Sequence, residues 1–206
     1  MLGDFQIEPA GPGVFQYLVT ASLNRVNLRR FLLAGKAGEA VEKDYSSGIL
    51  NAAVSLGARV GDGSSRLGVC RVDVADMRVG KVSPLANLLA VLRLTAPLDY
   101  AFDRMLVESY LRRNKLLISR FDLSGKNLAF AGGGTVNLPD GDVNLTLTAR
   151  GKRVAVAQPS ILQSLTEGLG TAVVRMEVTG KADNPDVETK TLPVIEDSLK
   201  ILGSPR

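Results

Sequence analysis

The sequence predicts a mainly β protein of the α+β kind: a curved antiparallel meander sheet that forms a groove, with three or four short amphipathic helices, several entered through proline. Three observations carry this. Val143, Leu145, Leu147 and Ala149 alternate with Asn144, Thr146 and Thr148, the period of two that a half-buried strand requires. Tight-turn signals such as Pro139-Asp140-Gly141-Asp142 separate such runs, so neighbours in sequence pair as neighbours in space. Leucines spaced at i, i+3, i+4 and i+7 behind Ser-Pro or Pro entries mark helices between the strand groups.

In chain order, residues 1–13, with three glycines and two prolines, read as an irregular lead-in or an edge strand. Phe15, Tyr17, Val19, Ala21 and Leu23 alternate with polar residues and give a strand. Asn27 then caps a short helix bearing Leu28, Phe31 and Leu32 on one face, with Gly35 at its end. Residues 36–47 are mixed and charged and read as loop. Residues 48–60 form a strand with Leu50, Ala52, Val54 and Leu56 on one side, and 61–65 a flexible turn. Residues 66–73 and 75–79 read as two strands, and Ser83-Pro84 opens the helix of Leu85, Leu88, Leu89 and Leu92. Residues 100–112 are extended, turn at Arg113-Asn114-Lys115, and enter strands at 116–123, 128–131, 135–138 and 143–149. Pro159 begins a further helix, residues 171–180 a strand, and Asp183-Asn184-Pro185-Asp186 a turn into a short strand near Val187. Pro193 begins the last helix.

Composition narrows the chemistry. The 206 residues suffice for one continuous unit, and the ten aromatic residues, with no Trp, leave the core to Leu, Val, Ile and Ala. Histidine is absent, which removes the side chain most used for proton transfer near neutral pH and the commonest metal ligand. The single Cys70 lies in a strand-like run and reads as a structural thiol. Asp73 with Asp76, and Asp140 with Asp142, are close in sequence, and the second pair lies in a turn that favours Asp. Ser64, Ser65 and Ser160 have no base near them in sequence. No catalytic residue, metal site or cofactor is assigned, and the chain is read as non-enzymatic.

Gly132-Gly133-Gly134 invites a phosphate-loop reading, but that mechanism needs a helix N-terminus behind the loop, and a strand follows instead. The glycines are read as places where strands bend or bulge. Twenty-five basic residues against 21 acidic ones give a formal +4. The clusters Arg29-Arg30, Arg112-Arg113-Lys115 and Arg150-Lys152-Arg153 read as a solvated surface or as contacts for anionic lipid headgroups. With no aromatic platform among them, nucleic acid is not expected as a partner. The first residues lack the basic and apolar segments of a secretory leader, and no run approaches the roughly 20 apolar residues that span a bilayer. The expectation is a chain that is cytosolic or part of something longer.

Three stretches resemble a known family. SGILNAAVSLGARVGDGSSRLGVCRVDVADMRVGKVSPLANLLAVLRL, FDLSGKNLAFAGGGTVNLPDGDVNLTLTA and VRMEVTGKADNPDVETKTLP are similar, in their order of strand, Gly-rich turn, leucine helix and proline-led close, to the C-terminal region of the AsmA family of bacterial envelope proteins. That family is related to TamB and to bridge-like lipid transfer proteins. The resemblance runs from Gly48 to the C-terminus and departs from the family in lacking an N-terminal membrane anchor and the many repeats of a full-length groove. It implies that residues 1–206 are a single AsmA-like C-terminal domain, a fragment of a longer envelope protein. Such a protein would be periplasmic, tethered to the inner membrane by an anchor not present in this chain, and would serve outer-membrane biogenesis or lipid homeostasis. The implied partners are a phospholipid or other acyl lipid, the remainder of the longer chain and other envelope proteins. The candidate lining of the lipid groove is Leu128, Phe130, Val136, Val143, Leu145, Leu147, Val174, Met176 and Val178. The alternative is a structural scaffold or protein interaction domain whose sheet is fully self-covered, with these same residues as an ordinary core.

Overall fold

The computed structural model describes residues 2–34, 46–79, 101–126, 128–152, 171–182 and 184–191. Ten strands lie in one sheet in strict sequence order, each antiparallel to the next. They are β1 (Leu2–Gly11), β2 (Val14–Asn27), β3 (Ser47–Arg59), β4 (Asp62–Arg78), β5 (Ala101–Arg112), β6 (Lys115–Ser124), β7 (Leu128–Asn137), β8 (Asp142–Lys152), β9 (Thr171–Lys181) and β10 (Asn184–Thr191). β1 and β10 do not pair, so the sheet stays open. The predicted meander is what forms.

One helix occurs among the described residues, α1 (Leu28–Ala34). Asn27 caps it as expected, its Oδ1 accepting the Arg30 backbone N–H at 3.0 Å. Leu28 joins the core and Leu32 packs against it, while Phe31 faces out. The helices expected behind Pro84, Pro159 and Pro193, the loop at 36–45 and the helix-ending Gly35 lie outside the described residues.

Four sequence expectations need correction. Of the two readings of residues 1–13, the irregular lead-in gives way to the edge strand: residues 2–11 pair with β2 from Leu2↔Ser22 to Gly11↔Val14. Its one proline, Pro9, and its glycines are tolerated because β1 is an edge, where a missing N–H costs no ladder bond. Residues 66–73 and 75–79 are one strand, β4, which passes through Asp76 in a left-handed conformation (φ 50°) without losing its partner β5. Residues 128–131 and 135–138 are likewise one strand, β7, with the three glycines inside it. The turn expected at 183–186 is shorter: Asn184 already pairs with Lys181, and Pro185 with Gly180.

The glycine triplet stays in the sheet because its neighbours crowd in where side chains would stand. A Cβ on Gly132 would lie 2.1 Å from the Thr146 carbonyl oxygen, one on Gly133 2.5 Å from that of Ile118, and one on Gly134 2.1 Å from that of Asn144. On the other side β6 carries a bulge: Ile118 pairs with Gly134 and Phe121 with Gly132, so Ser119 and Arg120 together oppose Gly133. Bulge and glycines jointly increase the local bend of the sheet.

The short turns β1–β2, β3–β4, β5–β6, β7–β8 and β9–β10 lie at one end of the strands and the short β6–β7 turn at the other, and turns of the first end are tied to neighbouring strands. Val60 N–H donates to the Phe15 carbonyl at 2.8 Å, Arg113 N–H to Arg66 at 2.7 Å, Leu138 N–H to Asn114 at 2.9 Å and Ala182 N–H to Gly141 at 2.9 Å. The result is a rim of turns held by backbone hydrogen bonds. α1 and the longer connections leave from the opposite end.

Candidate apolar binding face

Because directly opposed residues in a ladder share a face, the registers fix what each side of the sheet presents. Starting from β8, Val143, Leu145, Leu147 and Ala149 oppose Val136, Gly134, Gly132 and Phe130 of β7, and Gly180, Val178, Met176 and Val174 of β9. The same face continues through Leu123 and Phe121 of β6, then Met105 and Val107 of β5. Val72 and Val74 of β4 and Leu50, Ala52, Val54 and Leu56 of β3 follow. Val19 and Tyr17 of β2 and Phe5 and Ile7 of β1 complete it. One aliphatic face thus runs from β1 to β10, where Val187 opposes Val178.

The nine candidate lining residues all fall on this face or pack against its core. Phe130, Val143, Leu147, Val174, Met176 and Val178 are buried, Val174 and Met176 completely, and Leu128, Val136 and Leu145 are partly buried and pack against them. Phe102 lies over Gly125, its ring centroid 6.4 Å from that of Phe130, a contact two strands apart that a side chain on Gly125 would obstruct. Cross-strand aliphatic and aromatic pairs of this kind stabilise a sheet by a few tenths to about 1 kcal/mol each.

Burial is uneven along the face. It is deepest at the end from which α1 leaves, where Leu50, Val74, Met77, Phe102, Leu123 and Val174 cluster with Leu28. Toward the turn rim of β1 to β6 the same face opens: Phe5 is 60% exposed, Ile7 55% and Val54 40%, with Tyr17, Val19, Leu56, Leu111, Leu116 and Ile118 half-buried. The Phe5 and Tyr17 rings stand 6.4 Å apart in this open stretch. Sequence reasoning placed the candidate lining only in β7 to β9 and missed this open region, although the alternation of Phe15 to Leu23 and of Leu50 to Leu56 carried the signal.

The opposite face is polar and holds its charges in pairs. Arg104 clamps Asp73 with both Nε, at 3.0 Å, and Nη2. That guanidinium, chiefly through its hydrogen bonds, holds the Asp73 carboxyl below the usual carboxylate range. Arg71 pairs with Glu108 at 2.8 Å and Lys181 with Asp142 at 2.6 Å. These are solvated pairs, each contributing less than about 1 kcal/mol.

The residues weighed for chemistry are engaged structurally. Ser64 Oγ donates to Asp62 Oδ1 at 2.6 Å and Ser65 Oγ to the Asp62 carbonyl at 2.7 Å, closing the β3–β4 turn. Asp140 accepts the Asp142 N–H at 3.0 Å, the local bond expected of Asp in a turn. Burial pushes the Cys70 thiol up from its ordinary value, away from the thiolate that nucleophilic or redox chemistry needs. Among the described residues no group of three or more Cys, Asp or Glu is placed to hold a metal ion, and no helix is long and apolar enough to cross a membrane. Ser160 and Arg153 lie outside the described residues.

Comparison of the chain with protein-family models, with curated proteins and with solved structures finds no match.

Proposed function

We propose that this protein binds the acyl chain of a phospholipid or other lipid along its aliphatic sheet face, without catalysis. The observation that carries the reading is the continuity of that face with the exposed stretch around Phe5, Ile7, Val54 and Tyr17 in an open sheet. A hydrocarbon chain laid there would be sheltered from water at about 0.8 kcal/mol for each buried methylene, with no hydrogen bond to satisfy. The deeply buried part, including Met176 and Val174, forms the wall against which such a chain ends. On this reading the likeness of residues 48–206 to the C-terminal region of the AsmA family extends to its role. The protein is then a periplasmic module of a longer, inner-membrane-tethered envelope protein that guides lipid for outer-membrane biogenesis.

A second reading is supported by β1, all ten of whose residues are exposed. An unpaired strand edge is a template for another strand, so the sheet could extend into the remainder of a longer chain or an envelope partner as a scaffold. Lipid extraction and mass spectrometry of the purified protein separate the two. The acyl-chain reading expects about one acyl lipid per chain, reduced severalfold in Val54→Asp. A protein that carries no lipid and excludes an apolar dye is a scaffold.

A further inference from the structure

We infer that the rim of tight turns is a docking surface for an anionic lipid bilayer. The rim is unusual in what it exposes. Hairpin tips are ordinarily polar, yet Val60 at the β3–β4 turn is 57% exposed and Leu138 at the β7–β8 turn 53%, with Val14 and Phe15 exposed at the β1–β2 turn. Just behind them on the otherwise polar face, Leu67, Val69, Tyr110 and Leu117 are exposed too, and the last three stand in one cross-strand row. Apolar residues gathered at one end of a molecule mark an interaction surface rather than scatter.

The charge at this rim selects the partner. Arg112 and Lys115 are directly opposed in the β5–β6 hairpin, a like-charge pair that costs stability, and Arg113 between them sits at φ 59°. Among the described residues no acid pairs with any of the three. The rim also carries Asp62 and Asp140, which accept hydrogen bonds within their own turns, and Asp142, which pairs with Lys181, while farther from the rim Arg71, Arg104 and Arg120 each hold a carboxylate. Unpaired cations interleaved with exposed Val, Leu and Tyr fit an interface with acidic headgroups outside and hydrocarbon just beneath. The backbone bonds that run from Phe15 through Val60, and from Asn114 to Leu138, hold the apolar tips in one row, so they enter the bilayer together. The open part of the aliphatic face ends at this same rim, which would deliver an acyl chain straight onto it.

The inference adds a membrane to the acyl-chain reading, but docking needs no bound lipid, and the tests are separable. The 206-residue chain is mixed with phosphatidylcholine vesicles with and without phosphatidylglycerol, and bound protein is measured by flotation. Binding is expected only with phosphatidylglycerol, to weaken more than about tenfold in Arg112→Glu/Lys115→Glu, and to be lost in Val60→Asp/Leu138→Asp. Leu2→Asp, a still more exposed position at the other end of β1, is expected to bind as wild type. Equal binding by all variants, or binding indifferent to phosphatidylglycerol, overturns the docking surface. Lipid content of the same preparations is read separately: a protein that carries acyl chains but does not float with vesicles contradicts docking alone, and one that floats but carries none contradicts the acyl-chain reading alone.

Discussion

Gly132 and Gly134 are where one added methyl group would disturb the sheet most, since each would drive a Cβ to 2.1 Å from a carbonyl oxygen of β8. Gly132→Ala is expected to destabilise the protein by about 1–3 kcal/mol, read as a lower urea midpoint, because backbone rather than a side-chain tip must move. Gly63→Ala, which would meet only the Arg66 side chain at 3.7 Å, is expected to change little. The Gly-Gly-Gly run was legible as a site of bending, but not as the interior of one strand. A strand carrying three glycines has almost no intrinsic preference to be one, and only the close approach of β6 and β8 makes it so. The charged residues offer a second test at this scale. Asp73 has its carboxyl lowered by Arg104, so its stabilisation is present above the ordinary carboxylate value of 3.8 and fades as pH falls through the lower folded value. Asp73→Asn should therefore cost less than about 1 kcal/mol at neutral pH and should flatten the acid limb of a stability–pH curve.

At the scale of elements, the face of each strand was readable because the period of two is local, whereas which end of that face is buried was not. Burial differs between the two ends of the strands: five short turns lie at the exposed end, and α1, the β6–β7 turn and the longer connections leave from the other. No periodicity encodes that asymmetry. It predicts a contrast along one apolar surface. Met176→Ala removes a side chain with no exposure and should cost about 2–5 kcal/mol. Ile7→Ala, at 55% exposure on the same face, should cost well under 1 kcal/mol and impair only what the face binds. The Asn27 cap was visible in the sequence as a polar residue before Leu28, Phe31 and Leu32, and Asn27→Ala should cost about 1 kcal/mol by thermal or urea denaturation. For residues 2–11 the sequence left an irregular lead-in and an edge strand both open, because Gly and Pro argue against a strand everywhere except at an edge.

The described residues form a ten-stranded sheet with one aliphatic side, unclosed, buried at one end and exposed at the other. A meander was predictable from turns and alternation alone, since each strand needed only its sequence neighbour. How much of the apolar side is covered is a property of the assembled sheet: it is buried at one end and exposed at the other. On the proposed function, a hydrocarbon chain lies against the open part. Photo-crosslinking with a diazirine-bearing fatty acid, with the labelled residues located by peptide mass spectrometry, tests this most directly. Label is predicted on Phe5, Ile7, Tyr17, Val19, Val54 and Leu56. Label confined to the polar face, or no label displaceable by unmodified fatty acid, would contradict it.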